Sequence, residues 1–217
     1  VLRFPPSDAT ININKKIARE ISLAKSFAKA YNVYGAESYI QGLSGYAIEC
    51  LIIYYKSFKK MAKALSEAKE KIIIDPKKWY KNRNEIELSV NESRLKSPIV
   101  LIDPTWKERN VLAALSSESF EKFKKALKRY IKSPSEEMFY PKEIDIEQLK
   151  KYAKNKKAEF LHIIIETDRQ EGDIAGTKLK KFSKFLENNI IKYFDIINSE
   201  FDYLERKQAH LYMILKS

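Results

Sequence analysis

Val33-Tyr34-Gly35-Ala36-Glu37, followed by Gln41-Gly42-Leu43-Ser44-Gly45-Tyr46-Ala47-Ile48-Glu49-Cys50-Leu51-Ile52-Ile53, decides how the chain must be read. Gly35, Gly42 and Gly45 interrupt any regular element here, because glycine reaches backbone conformations closed to other residues. Ser44 stands where its hydroxyl can cap a helix. The run from Tyr46 through Ile48, Leu51 and Ile52 to Tyr55 is apolar nearly all round, so the spacing predicts a helix central to the core.

On the N-terminal side, Ile17, Ile21, Leu23, Ala24, Phe27 and Ala28 recur at helical spacing and predict an amphipathic helix over 13–31. Residues 1–12 carry Pro5 and Pro6 without periodicity and read as a tail or the cut end of something longer. On the C-terminal side a basic helix is expected over 57–71, with Lys59, Lys60, Lys63 and Lys69 outward. Short β-prone runs follow at 71–75, 85–90 and 99–103. Residues 109–115 and 117–132 read as helices, and Ser133-Pro134-Ser135 as the boundary between two units. Beyond it, 146–154 and 177–188 read as helices, 158–166 as an apolar strand, and 201–205 with 211–215 as a strand pair. This order predicts an α+β protein: a helical central domain with a small sheet over 13–133, then an antiparallel sheet packed with helices over 134–217.

Forty-one Lys and Arg against twenty-nine Asp and Glu give the 217 residues a net charge of +12, with 44% hydrophobic and 12% aromatic content. Such a chain buries a core and attracts polyanions, of which nucleic acid is the commonest and an acidic membrane the second. No apolar run is long enough to span a bilayer and the N-terminus has no signal-peptide order, so a cytoplasmic protein is expected. The basic helices lack the aromatic wedges of interfacial anchors, and no membrane partner is expected. Cys50 has no disulfide partner and reads as a buried thiol. Four basic clusters stand out: Lys56-Lys59-Lys60-Lys63, Lys77-Lys78-Lys81-Arg83, Lys122-Lys124-Lys125-Lys128-Arg129 and Lys178-Lys180-Lys181-Lys184. Each alone reads as a solvated helix face; taken with the net charge and with the family resemblance given below, at least two are expected to line an RNA track, Lys59, Lys60, Lys63, Lys124, Lys125, Lys128 and Arg129 foremost.

No catalytic residue is legible. Gly42-Leu43-Ser44-Gly45 matches neither the Walker nor the dinucleotide pattern. His162 and His210 are far apart and give no metal-ligand spacing, and His162 reads as a structural histidine in a strand. Nucleotidyl transfer needs paired carboxylates that hold metal ions at the phosphates. Asp195, Glu200 and Asp202 lack the Gly-Ser turn that precedes such a pair and read as a solvated loop.

The stretch 33–53 resembles the archaeal-type, class I CCA-adding tRNA nucleotidyltransferases, in which a Tyr-Gly-Ala-Glu turn leads to a Gly-Phe-Ser-Gly-Tyr turn and a buried helix. Ile102-Asp103-Pro104, Arg109-Asn110-Val111 and Ala113-Ala114-Leu115-Ser116 resemble a second element of that family. Phe139-Tyr140-Pro141, the strand at 158–166 and Asp173-Ile174 match its body domain more weakly, a ferredoxin- or RRM-like RNA-binding sheet. The resemblance implies a protein that holds the tRNA acceptor stem and adds C, C and A to its 3′ end from CTP and ATP. It implies that the metal-binding carboxylates, and the Mg they hold, belong to a head domain outside this chain, in the same polypeptide or on a partner chain. By the same resemblance the chain ends before the family's tail.

The resemblance places nucleotide contacts at Tyr34, Gly35, Glu37, Gln41, Gly42, Ser44, Gly45 and Tyr46, and RNA contacts at Arg109 and Asn110. Gln41 stands where the family often has a basic residue, and an amide donates to base edges without neutralising phosphate. Glu37 and Glu49 read either as partners that orient Arg109 or as surface charges. Arg109 and Asn110 are expected to start a helix. A stand-alone RNA-binding module and the equivalent part of a poly(A)-polymerase-like enzyme are the alternatives.

Overall fold

A computed structural model describes residues 14–141, 143–168, 171–203 and 207–216; the expected N-terminal tail lies outside them. The chain divides into two units, residues up to 142 and from 143 onward.

The first unit opens with α1 (Lys15–Ala30), whose N-cap Asn14 accepts from the Ile17 amide, and α2 (Gly45–Tyr55), capped by Ser44 as the sequence predicts. A third helix, α3 (Phe58–Glu67), stops short of the expected end at residue 71. Strand β1 (Ile72–Ile74) follows, then helices α4 (Arg83–Ser89) and α5 (Glu92–Leu95), strands β2 (Ile99–Asp103) and β3 (Trp106–Asn110), helix α6 (Ser117–Lys132) and a 3-10 turn at Glu136–Phe139. β1 runs parallel to β2, and β3 antiparallel to it. The core sits where Phe27 of α1 meets Phe58 of α3 and Phe123 and Tyr130 of α6, with ring centroids 5.0–6.0 Å apart. Phe139 closes this cluster against Phe27, Phe58 and Tyr130. That packing keeps the segment after Ser133-Pro134-Ser135 with the first unit.

Three expectations are corrected. Residues 85–90, read as a strand, lie mostly in α4: Asn82 caps it at the Glu85 amide, Arg83 pairs with Glu87 one turn on, and Ile86 and Val90, four apart, are both buried. The alternation of Ile86, Leu88 and Val90 suggests a strand, but Ile86 and Val90 also fit a helical turn, and Leu88, between them, is exposed. Arg109 and Asn110, read as the start of a helix, end β3 instead. Asn110 is paired across the ladder with Ile102, and the residues after it form turns. Asp195, Glu200 and Asp202, read as loop, lie on a strand of the second unit.

That unit runs α7 (Ile146–Asn155), β4 (Glu159–Glu166), α8 (Gly172–Ile190), β5 (Asp195–Tyr203) and β6 (Gln208–Lys216). Its sheet is antiparallel in the order β4-β6-β5, so β4 and β5 flank the C-terminal strand as parallel outer strands joined by the α8 crossover. Leu179, Leu186 and Ile190 of α8 pack on Ile165, Leu211 and Met213. The molecule is α+β throughout, as expected.

Candidate nucleotide and nucleic-acid interface

The decisive stretch folds back on itself. Tyr34 and Leu43 form an isolated parallel bridge, Leu43 N donates to Val33 O at 2.8 Å, and Gly42 N to Gly35 O at 2.9 Å. Two glycines are required by this geometry. A Cβ on Gly42 would meet the Val33 carbonyl oxygen at 2.1 Å, and Gly35 holds φ at +128° with the Glu37 carboxylate folded against it. Gln41 takes a left-handed φ of 49°, its side chain exposed. The Gln41 carbonyl accepts from Ser116 N at 2.9 Å, and the Ile40 carbonyl from Ser119 Oγ at 2.7 Å. Residues far apart in sequence thus join the glycine turn to the first turn of α6.

At the start of α2, Ser44 Oγ is engaged as the helix cap at the Ala47 amide. The Gly45 α-carbon lies beside the Tyr34 hydroxyl and Lys25 Nζ, so a side chain there would crowd both. Lys29 Nζ stands 5.0 Å from the centre of the Tyr34 ring, a cation–π distance. Lys25 and Lys29 come from α1, and nothing in their spacing marks them as neighbours of the motif.

Tyr46 joins α2 to the sheet. Its hydroxyl donates to Asp103 Oδ1 at 2.9 Å, an oxygen that also accepts from the Thr105 amide and hydroxyl at 2.8 and 2.7 Å. Asp103 is fully buried. Its other oxygen accepts no hydrogen bond and lies 3.5 Å from Arg109 Nη1. The Arg109 guanidinium lies over the Tyr46 ring at 5.9 Å and is half exposed. Burial first, then Cys50, then the bond to Asp103 raise the pKa of the Tyr46 hydroxyl far above its ordinary range, so it stays a neutral donor. Burial likewise pushes the Cys50 thiol up to about 12, in keeping with an inert thiol. The arrangement braces one side of a guanidinium against a buried carboxylate and an aromatic face, leaving the rest of its N–H fork at the surface.

Glu49 does not orient Arg109. It pairs with Lys25 at 2.6 Å, and Asp103 takes the role considered for it. Asn110 turns inward: Oδ1 accepts from the Leu101 and Leu112 amides at 2.9 Å each, and Nδ2 donates to the Arg94 and Ile99 carbonyls. It braces the β2–β3 hairpin and has no side-chain group left for RNA. Lys59, Lys60 and Lys63 are exposed on α3; Lys125, Lys128 and Arg129 are exposed on α6, which packs against α3. Lys124 is largely sequestered, paired with Glu121 at 3.6 Å, and lines an open recess with Lys69, Lys71 and Lys96. Trp106 is half exposed at the start of β3, under the Arg94 guanidinium at 5.7 Å; a lone exposed tryptophan makes no pattern in a sequence and gives no signal there.

Residues 19–140, the first unit almost entire, match the sequence profile of the tRNA nucleotidyltransferase second domain, and the chain belongs to this family. Its relatives include the CCA-adding enzyme of Saccharolobus shibatae, 37% identical over 147 residues, which are 68% of this chain and 33% of that protein. The CCA-adding enzyme of Saccharolobus islandicus strain M.14.25 is 34% identical over 191 residues, 88% of this chain and 42% of the relative. That of Nanoarchaeum equitans is 43% identical over 106 residues, 49% and 27% of the two chains. The chain therefore spans well under half the length of these relatives. The resemblance carried by the two motifs holds.

Proposed function

We propose that this chain is the RNA-handling part of a CCA-adding enzyme, which adds C, C and A to tRNA 3′ ends from CTP and ATP. Its role is to bind the tRNA acceptor region and to position the nucleotide for a catalytic head supplied outside these residues. Arg109, braced by Asp103 and Tyr46 beside the glycine turn, carries the reading: a half-exposed guanidinium fork suits phosphate oxygens and base-edge acceptors alike. Mg belongs to the head in this reading, and the described residues offer no cluster of three carboxylate, His or Cys groups to hold a metal. Lys59, Lys60 and Lys63 on α3 with Lys125, Lys128 and Arg129 on α6 support a track that reads A-form backbone more than sequence.

A titration of the chain with a tRNA acceptor minihelix across a range of salt, against a DNA duplex of equal length, tests this. The expected result is a preference for RNA with a salt slope of roughly 3–6 phosphate contacts. Arg109→Lys, which keeps the charge and removes the fork, is expected to weaken binding several-fold. Equal binding to DNA, or none to either, would overturn the reading.

A further inference from the structure

One face of the second unit's sheet is packed under α8. The other gathers Phe160, His162 and Ile164 of β4 with His210, Tyr212 and Ile214 of β6; Ile214 and Tyr212 are buried, whereas His162 and Ile164 are exposed. Register explains the gathering. His162 stands opposite Tyr212 and Ile164 opposite His210, so two histidines 48 residues apart become diagonal neighbours. Their Nε2 and Nδ1 atoms are 2.9 Å apart. Because the ring centroids are 5.1 Å apart and the planes only 20° from parallel, the imidazoles lie edge to edge in nearly one plane.

Tyr212 backs this pair. Its ring centre is 4.5 Å from that of His162 with planes 17° apart, so the faces overlap, and Phe160 continues the array 6.4 Å from Tyr212 at 21°. Tyr212 is buried, His162 is exposed and His210, 6.0 Å from the Tyr212 ring, is half-buried, so the outer surface of the pair is mostly that of His162. The hydrogen bond between the rings occupies one edge of each, and Tyr212 covers one face of His162, so the plate offers its opposite face. Partial burial and the neighbouring His210 both lower the His162 pKa, which keeps the pair short of the double charge that would break this bond.

We propose that the His162–His210 plate, backed by Tyr212, is a stacking platform for one unpaired base of an RNA strand. A base presents a flat π face of matching extent, and stacking on it is indifferent to which base arrives. Charge sets the path of the strand. Glu200 and Asp202 stand opposite Tyr212 and His210 on β5 and repel phosphate, whereas at one end of the sheet Lys156 and Lys157, which precede β4, and Lys216, which closes β6, outnumber Glu159 and Asp195. The backbone therefore crosses the β4 edge from the lysine end. This platform rests on the RNA-handling reading above but uses none of its first-unit residues.

The probe is a single-stranded RNA hexamer carrying 2-aminopurine, whose fluorescence falls on stacking, titrated into the full chain alongside the duplex minihelix. Quenching is expected with the wild-type chain and with His162→Phe, which keeps a flat ring. His162→Leu and His210→Leu are expected to lose roughly tenfold in hexamer affinity, the scale of one stacked base, with duplex binding unchanged and circular dichroism confirming the fold. Leu and Phe variants that bind the hexamer alike, or a wild-type chain that binds it without quenching, would sink the platform. Duplex binding intact in that case leaves the acceptor-stem reading standing. Hexamer quenching without duplex binding would keep the platform and overturn the acceptor-stem reading, and failure of both probes would remove both.

Discussion

The two units solve the same problem with different reserves of burial. In the first, a cluster of rings from α1, α3, α6 and the 3-10 turn is packed inside, and Phe27, Phe58 and Phe123 are almost wholly hidden. In the second, the buried cluster is small, while Ile174, Phe182 and Phe185 of α8 and Tyr193 and Phe194 beyond it stay exposed. A three-stranded sheet with one helix-covered face cannot hide all the apolar groups its chain carries. Tight internal packing makes a region intolerant of change, and a partly open surface makes one tolerant but sticky.

Glycine substitutions sharpen that contrast most. Gly42→Ala pushes a methyl group into the Val33 carbonyl of a turn that is itself pinned to α6. A loss of about 3 kcal/mol in urea unfolding is expected. Gly172 opens α8 with φ at +67°, and a methyl group there would meet nothing within 4 Å, so Gly172→Ala bears only the strain of the left-handed conformation. That strain is about 1 kcal/mol. Equal losses at the two positions would break the comparison.

The smallest expected effect is a pH dependence in the second unit. Burial first and His210 second hold the His162 pKa below its usual 6.5. The fold favours the neutral ring, so its contribution is complete above about pH 6.5 and is lost as pH falls through the lower folded value. Asp202, facing His210, and Glu200, facing Tyr212, favour a charged ring and shrink the effect. An NMR titration of the His162 ring protons should give a midpoint below 6.5, and the melting temperature should fall slightly faster with acid in the wild type than in His162→Phe. A midpoint at or above the usual value would contradict the lowered pKa.

Legibility follows local signals. Helix α6 can be read to its ends at Ser117 and Lys132 because Ser116 caps it and its apolar residues keep a strict helical period. The glycine turn and the α2 cap are equally plain, and so is the all-apolar run of β2 up to Asp103. Most of strand β5 is illegible because Asp195, Asn198, Glu200 and Asp202 interrupt its apolar residues on the face turned away from α8, so no apolar run marks it. β3 is hidden because Asn110 runs into Val111-Leu112-Ala113-Ala114-Leu115, which scans as helix; its buried amide, saturated by four backbone groups, is what holds the hairpin.

By itself the sequence determined the basic charge, the caps, the glycine turn and the two motifs that place the chain in its family, since each depends on neighbours a few residues away. Tertiary structure alone decided that Asp103 rather than Glu49 braces Arg109, that Asn110 turns inward, and that His162 meets His210. Those outcomes depend on strand register and on which groups lie across a buried junction: the hairpin turns Asp103 back to Arg109, Tyr46 reaches Asp103 across 57 residues and His162 meets His210 across 48, and none of these leaves a period in the chain to read.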